Sequence, residues 1–364
     1  MGVKLQELVV SKDIEIKQLA GRIIAVDAPN IIMSLFNFAY KDQSYSYSNL
    51  MTDRTSRAIS HLYGLLFRIN FYYSKYIFPI FCFDGKDSEL KRVITKDQLN
   101  DFLVTTRWYQ NALSEGNKEE ARKIAMSHEF LWPNIIKESK QLLGALGVPY
   151  IEAPASAESQ CAQLVKDGIA SYANSQDYDT LVFGCPKVLQ NLSKSQKRKI
   201  QGKWAYKKVV PHIIDLHHTL KKLTINQFQL IDMSILMGTD YFPGVKSIGP
   251  KTALSLITKH GSLEKIIAQE KNKYNFSSLA PGLIKKIRKI FLLPEVLDAP
   301  QKIYWTLPNK TSIVNLMCND HHLNKERVEN NIDKLSKSYY KCRTYFKTNP
   351  NRPDSIQTTL DIVS

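Results

Sequence analysis

The densest chemistry in the sequence is Ser175-Gln176-Asp177-Tyr178-Asp179, where two carboxylates stand two residues apart directly after an apolar run. Carboxylates that close repel one another, and a bound cation is the usual compensation. A lone Asp-x-Asp after a strand is also ordinary loop chemistry. Here the arrangement recurs, because Arg22-Ile-Ile-Ala-Val-Asp27 and Phe78-Pro-Ile-Phe-Cys-Phe-Asp84 each end an apolar run on an aspartate. Such runs read as strands buried on both faces, and open parallel sheets build their sites at strand C-terminal ends. With Glu158 in Ala155-Ser-Ala-Glu158 and Asp240 in Met237-Gly-Thr-Asp240, six carboxylates from five segments can converge on one crevice. An all-oxygen donor set suits hard divalent ions, Mg²⁺ or Mn²⁺.

The elements that must position these groups alternate between β and α. Strands are expected at 23–26, 77–83, 148–152, 169–174, 180–183 and 204–210. Helices are expected at 30–40, 55–73, from Ser156 onward, 225–237 and 252–260. That order predicts an α/β fold, a mostly parallel central sheet with helices on both faces. Residues 88–146 contain only Gly116, Pro133 and Gly144 as breakers and read as a long helical region. Its first half sets Lys91, Arg92, Lys96, Arg107, Lys118, Arg122 and Lys123 beside Phe102, Trp108 and Tyr109. So thin an apolar face suits either a solvated helical hairpin or an arch that grips a substrate. Ser193 to Lys199, with Lys197 and Arg198, is a basic loop of a kind that is often merely solvated.

The helix at 225–237 leads through Gly244-Val-Lys246-Ser247-Ile-Gly249-Pro-Lys251 into the helix at 252–260. Free backbone N–H groups at the second helix, with Lys246 and Lys251 alongside, suit a phosphate diester. A packing αα-hairpin is the plainer alternative. Further packing helices are expected over 262–335, and a basic flexible tail over 336–364, where Lys, Asn, Pro, Ser and Thr dominate.

The charge balance fits a polyanionic partner: 50 Lys and Arg against 34 Asp and Glu give a formal +16. A basic protein that keeps an acidic cluster suggests a polyanion on the outer surface and metal ions within. Cys82, Cys161, Cys185, Cys318 and Cys342 are odd in number and widely spaced, as expected of reduced thiols in an intracellular protein. No apolar run approaches a membrane span. The start lacks a signal-peptide core, and Gln6 argues against myristoylation at Gly2.

With these segments in hand, the chain resembles the flap endonuclease family of structure-specific 5′ nucleases, in its archaeal and eukaryotic form. The resemblance rests on Phe83-Asp84-Gly85-Lys86, Gly147-Val-Pro-Tyr-Ile-Glu-Ala-Pro154, Ser175 to Asp179, Met237-Gly-Thr-Asp-Tyr241 and Ser247-Ile-Gly-Pro-Lys251, in that order over nearly the whole length. It implies a PIN-like nuclease domain over 1–335, with an N-terminal part to about 110, an arch at about 86–131 and an internal part at about 125–260. It also implies a helix-two-turn-helix element, two divalent metals, and 5′-flap cleavage with 5′–3′ exonuclease activity in DNA replication and repair. By motif, the metal-binding carboxylates are Asp27, Asp84, Glu158, Asp177, Asp179 and Asp240. Lys91 falls at the family's catalytic lysine, with Arg92 beside it. Gly2 and Arg68 fall near the DNA, and Gly244, Lys246, Ser247, Gly249 and Lys251 at the element holding duplex phosphate, where a K⁺ usually sits. Lys197 and Arg198 would add charge along the duplex. A monomer is expected, cytoplasmic in an archaeon and nuclear in a eukaryote.

Four departures bear on activity. Ser156 replaces an acidic residue, Gln98 an arginine and Met33 an aromatic, and the tail matches the clamp-binding pattern at Gln357 and Leu360 but ends Val-Ser. Ser156 can cap the following helix. Sliding-clamp binding should be weak or absent, because aromatic anchors carry most of such an interface. The first three departures together keep open a DNA-junction-binding protein with weakened cleavage. A nuclease for bubbles or four-way junctions is argued against by the short span from Asp84 to Glu158.

Overall fold

The computed structural model describes residues 3–37, 51–85, 96–192, 197–199, 206–298 and 303–348. Gly2, Lys91, Arg92, Gln357 and Leu360 lie outside these residues, and Gln98, Lys197 and Arg198 are described as backbone alone. Seven strands, β1 (Ser11–Asp13), β2 (Arg22–Asp27), β3 (Ile77–Phe83), β4 (Tyr150–Glu152), β5 (Tyr172–Asn174), β6 (Lys187–Gln190) and β9 (His212–Asp215), form one sheet in the order β1-β9-β6-β5-β2-β3-β4. The short strands β7 (Lys197–Lys199) and β8 (Tyr206–Lys208) pair as a separate antiparallel hairpin.

β2 pairs in parallel with β3 on one side and with β5 on the other. The chain builds β3 and β4 outward from β2, then crosses back to lay down β5 and β6, so the strand order reverses between β2 and β5. A crevice opens at such a switch point, outside the strand C-termini. β3 is buried at every position and β2 from Ile23 onward, which is why both read as unbroken apolar runs. Antiparallel β9 and β1 close the far edge.

Between the strands run α1 (Ala28–Asn37), α2 (Ser60–Ser74), α3 (Lys96–Ser114), α4 (Lys118–Ala125), α5 (His128–Ala145), α6 (Ala157–Lys166) and α7 (Asp179–Val182), and α8 (Leu216–Leu223) follows β9, the last strand. After them come α9 (Gln227–Met237), α10 (Pro250–His260), α11 (Leu263–Glu270), α12 (Pro281–Leu292), α13 (Lys310–Val314) and α14 (Lys325–Thr348). The long polar region at 96–145 is three helices, broken at Gly116, whose φ is +70°, and at Ser127. Its thin apolar stripe is used internally: Tyr109, Ala112, Ala121, Ala125 and Phe130 form a small core of their own, apart from the main one. α2 begins at Ser60 rather than at 55, because residues 53–57 are folded into a turn on the Asp53 carboxylate.

Two expectations are corrected. Residues 180–183 are not a strand: Asp179–Val182 is a single helical turn, α7, whose side chains are buried. A short apolar run cannot be told from a buried helical turn by periodicity. The boundary expected at 335/336 falls inside α14, which continues to Thr348 and buries Val328, Ile332, Leu335, Tyr339, Cys342 and Phe346. Those six recur at three and four residues, a core-facing stripe hidden in polar composition. They cover the sheet around Phe78, whose ring lies 4.6 Å from Trp305 and 4.5 Å from Phe346. Trp305 Nε1 donates to the Pro79 carbonyl at 2.8 Å, and Tyr339 Oη donates to the Trp305 carbonyl at 2.7 Å.

Phe346→Ala should therefore lower the unfolding free energy by about 3–5 kcal/mol in a denaturant titration. A change within experimental error would show that this end of α14 is not part of the core.

Candidate metal centre

Asp27 ends the central strand and is 2% exposed. Its Oδ2 accepts from Ser175 Oγ at 2.7 Å, and its Oδ1 from the Asn30 N–H at 3.3 Å. Asp84 follows β3. Its Oδ1 accepts from the Ala157 N–H, the first amide of α6, at 2.8 Å, which sets a carboxylate against the positive end of a helix. Gly85 makes this approach possible, since a Cβ there would lie 1.7 Å from the Ala153 carbonyl oxygen. Glu158 comes from the first turn of α6. Asp177 follows β5, and its Oδ2 accepts from Asn30 Nδ2 at 2.9 Å. Asp179 opens α7 and takes the Val3 N–H on Oδ1 at 2.8 Å.

Carboxylate oxygens of Asp27, Glu158 and Asp177 lie within 4.8 Å of one another. Asp84 also repels Asp27, and Asp240 and Asp177 repel Asp179. Burial first, then repulsion by Asp84 and Asp177, raises the Asp27 pKa to about 7 against the hydrogen bonds from Ser175 and Asn30. Burial and the neighbours Asp240 and Asp177 likewise push Asp179 up to about 6, against the Val3 N–H. Carboxylates driven this far toward their neutral forms are what a divalent cation relieves, and their all-oxygen chemistry fits a hard ion. The donor set therefore fits the metal that the sequence implied.

Ser156 is the N-cap of α6 and accepts from the Ser159 N–H at 3.2 Å. Its hydroxyl is committed to the helix end. Asn30 is the residue that sequence reasoning missed: its side chain donates to Asp177 and accepts the Gln176 N–H at 3.2 Å, while its backbone N–H holds Asp27. The visible signal is an asparagine three residues after Asp27, in the first turn of α1. Ser175 was seen only as part of a motif, yet it bridges Asp27 and the Asp177 N–H.

The hairpin from Gly238 to Gly249 is shaped by positive φ at Gly238 (+108°), Gly244 (+88°) and Ser247 (+68°). At Gly244 a Cβ would fall 2.6 Å from the Met237 carbonyl carbon. Val245 and Ile248 anchor the hairpin in the core, while Lys246, Ser247, Gly249 and Lys251 face solvent. Gly249 caps α10 without a side chain and Pro250 occupies its first turn, leaving amides there for an outside acceptor. Lys251 Nζ lies 3.3 Å from Glu7 Oε2, both well exposed. Arg68 departs from expectation: it is 7% exposed and donates to the Leu192 carbonyl at 2.5 Å, so it braces the chain from inside. Met33 is exposed on α1. All five cysteines are free thiols. Among the described residues no helix is long and apolar enough to cross a membrane.

Comparison with known proteins agrees with this geometry. Residues 1–99 match the XPG N-terminal domain family and residues 147–240 the XPG I-region family. Flap endonuclease 1 of Nanoarchaeum equitans is 38% identical over 343 residues, 94% of this chain and 96% of its own. Flap endonuclease 1 of Aeropyrum pernix is 37% identical over 93% and 95%. The structure of flap endonuclease-1 from Methanococcus jannaschii superposes with a TM-score of 0.69 at 27% identity, over 93% of this chain and 99% of that one. The catalytic core of Rad2 in complex with DNA substrate shares the fold at 22% identity, with a TM-score of 0.63 over 92% and 100%. With carboxylates gathered at the switch point of its sheet and 94% of its length matched by a flap endonuclease, the chain belongs to the flap endonuclease family of structure-specific 5′ nucleases.

Proposed function

We propose that Asp27, Asp84, Glu158, Asp177, Asp179 and Asp240 hold Mg²⁺, with Mn²⁺ able to substitute, and that the chain cuts DNA at the base of a 5′ flap. The observation that carries this reading is the mutual approach of Asp27, Glu158 and Asp177, with Asp27 buried and the other two half-buried. When bound, divalent ions supply an activated water and neutralise charge at the leaving 3′ oxygen. The protein's own part is positional. Asn30 and Ser175 aim the carboxylates, and the Asp84 contact with α6 fixes the far wall. Lys246, Lys251 and the first amides of α10 would hold duplex phosphates without reading sequence, with a K⁺ in the 244–249 hairpin. Lys197 and Arg198 would extend that grip. Lys91 and Arg92 would offset charge that builds on the scissile phosphate.

The direct test is cleavage of a 5′-labelled double-flap DNA across Mg²⁺ and Mn²⁺ titrations. Wild type should cut at the junction. Asp179→Asn should slow cleavage by about 100-fold or more, beyond what loss of an outer-shell partner costs, while flap binding in Ca²⁺ persists. Equal loss of binding and cleavage would remove Asp179 from the metal set. Asn30→Ala should raise the Mg²⁺ midpoint by about 10- to 100-fold, the usual cost of an orienting partner. An unchanged midpoint would make Asn30 a packing residue.

Because the Asp27 pKa rises from 3.8 to about 7 on folding, its ionisation is harder in the folded chain, and stability falls as pH climbs through that window. In EDTA, Asp27→Asn should therefore melt above wild type at pH 8 and level with it near pH 4. Saturating Mg²⁺ should restore wild type alone. Identical melting of the two chains at pH 8 would show that Asp27 carries no repulsive strain.

A further inference from the structure

A second set of buried ionic side chains shares no residue with the metal centre. His321, just ahead of α14, is 1% exposed. Its Nδ1 lies 2.8 Å from Asp53 Oδ2 and its Nε2 3.0 Å from Glu138 Oε1. A carboxylate can only accept, so both ring nitrogens must carry hydrogen and the ring is an imidazolium. Glu138, on α5, turns its other oxygen to buried His61 on α2 at 2.9 Å and accepts from Asn134 Nδ2 at 2.9 Å. Arg57 Nε donates to Asp53 Oδ2 at 3.2 Å, and its terminal nitrogens reach the Asp320 carbonyl at 2.6 Å and Asp320 Oδ1 at 3.2 Å. Arg57 also stands 3.8 Å from Glu138, and Asp320 3.9 Å from His321.

These charges fold the turn ahead of α2. Asp53 Oδ1 accepts from the Thr55 N–H, the Thr55 hydroxyl and the Arg57 N–H at 2.8, 2.7 and 2.9 Å. From α3, Tyr109 Oη donates to the Thr55 carbonyl at 2.6 Å. α3 also packs on the small separate core that it shares with α4 and α5. It begins at Lys96, so it anchors the far end of the segment that leaves Asp84-Gly85 and carries Lys91 and Arg92.

We propose that His321, held as an imidazolium between Asp53 and Glu138, is a positioning residue for cleavage: it fixes the 53–57 turn and, through Tyr109, the arch helix α3. The inference rests on the flap-nuclease reading and on Lys91 acting at the phosphate. It makes the C-terminal part of the chain a determinant of arch placement. Burial alone pushes the ring down, but the hydrogen bonds to Asp53 and Glu138 outweigh it and raise the pKa to about 9, with Arg57 opposing. His61, by contrast, is pulled down by burial despite Glu138, which leaves His321 as the charged ring of the two. A cation whose folded pKa is raised stabilises fully below its unfolded value near 6.5, and that contribution disappears as pH rises through about 9.

The test compares the full Mg²⁺-loaded chain with its His321→Gln, His321→Lys and Tyr109→Phe variants on 5′-flap DNA. His321→Gln removes the charge and should lower kcat by roughly 10- to 100-fold, as misplacement by about an ångström does, with KM little changed. His321→Lys restores the charge and should recover most of the rate, and above pH 9 it should outlast wild type. Tyr109→Phe should cost less, and combining it with His321→Gln should add little, because the two lie on one route. Ring ¹⁵N shifts should show both nitrogens of His321 protonated at pH 7. A folded His321→Gln chain with wild-type kcat, an unprotonated ring nitrogen, or additive losses in the double variant would each overturn the proposal. Should His321→Gln not fold, Tyr109→Phe decides alone, and an unchanged kcat counts against it. Wild-type cleavage in the same assay separates failure of this inference from failure of the flap-nuclease reading.

Discussion

Repulsion among carboxylates is the constraint around which this protein is arranged. Asp27, Glu158 and Asp177 approach within 4.8 Å in a crevice where Asp27 is almost fully buried. No chain collapses into such an arrangement for its own stability. The sheet imposes it, because β2, β3 and β5 run in parallel and deliver Asp27, Asp84 and Asp177 to the same end. The helix dipole of α6, the Ser175 hydroxyl, the Asn30 amide and the Val3 N–H each take up part of the charge. The rest of the energy is available to a cation.

How much of this was legible in the sequence follows from how local each signal is. The strand Ile77–Phe83 stands where expected, because burial on both faces leaves no polar interruption. Asp27, Glu158 and Asp177, which the structure brings together, were legible because each sits near where a buried run or a helix meets a loop. The edge strand Ser11–Asp13 was not, since all three of its residues are exposed and only pairing with His212–Asp215 makes it β. The turn of helix at Asp179–Val182 was misread because its residues favour strands and tertiary packing overrode them. The α14 stripe was present at helical spacing, but abundant Lys and Asn masked it. Asn30 and the inward course of Arg68 depend on side-chain direction across the fold, which no spacing reveals.

The departures from the family pattern take a physical form once placed. Ser156 is occupied by a helix cap, so the vacated acidic position has become a structural one. α3 and α4 share with α5 a core of Tyr109, Ala112, Ala121, Ala125 and Phe130, and the Tyr109 hydroxyl ties α3 to the Thr55 carbonyl.

The crossover that lays β5 beside β2 also bears on synthesis. Asp27 and Asp84 leave the ribosome early, but Asp177 emerges only after α3 to α6 have been made, and Asp240 later still. A nascent chain short of β5 therefore has α3 to α6 and three of the six carboxylates, Asp27, Asp84 and Glu158. On the proposed ligand set, the full complement of metal-binding carboxylates exists only once Asp240 has been made, about two thirds of the way along the 364 residues.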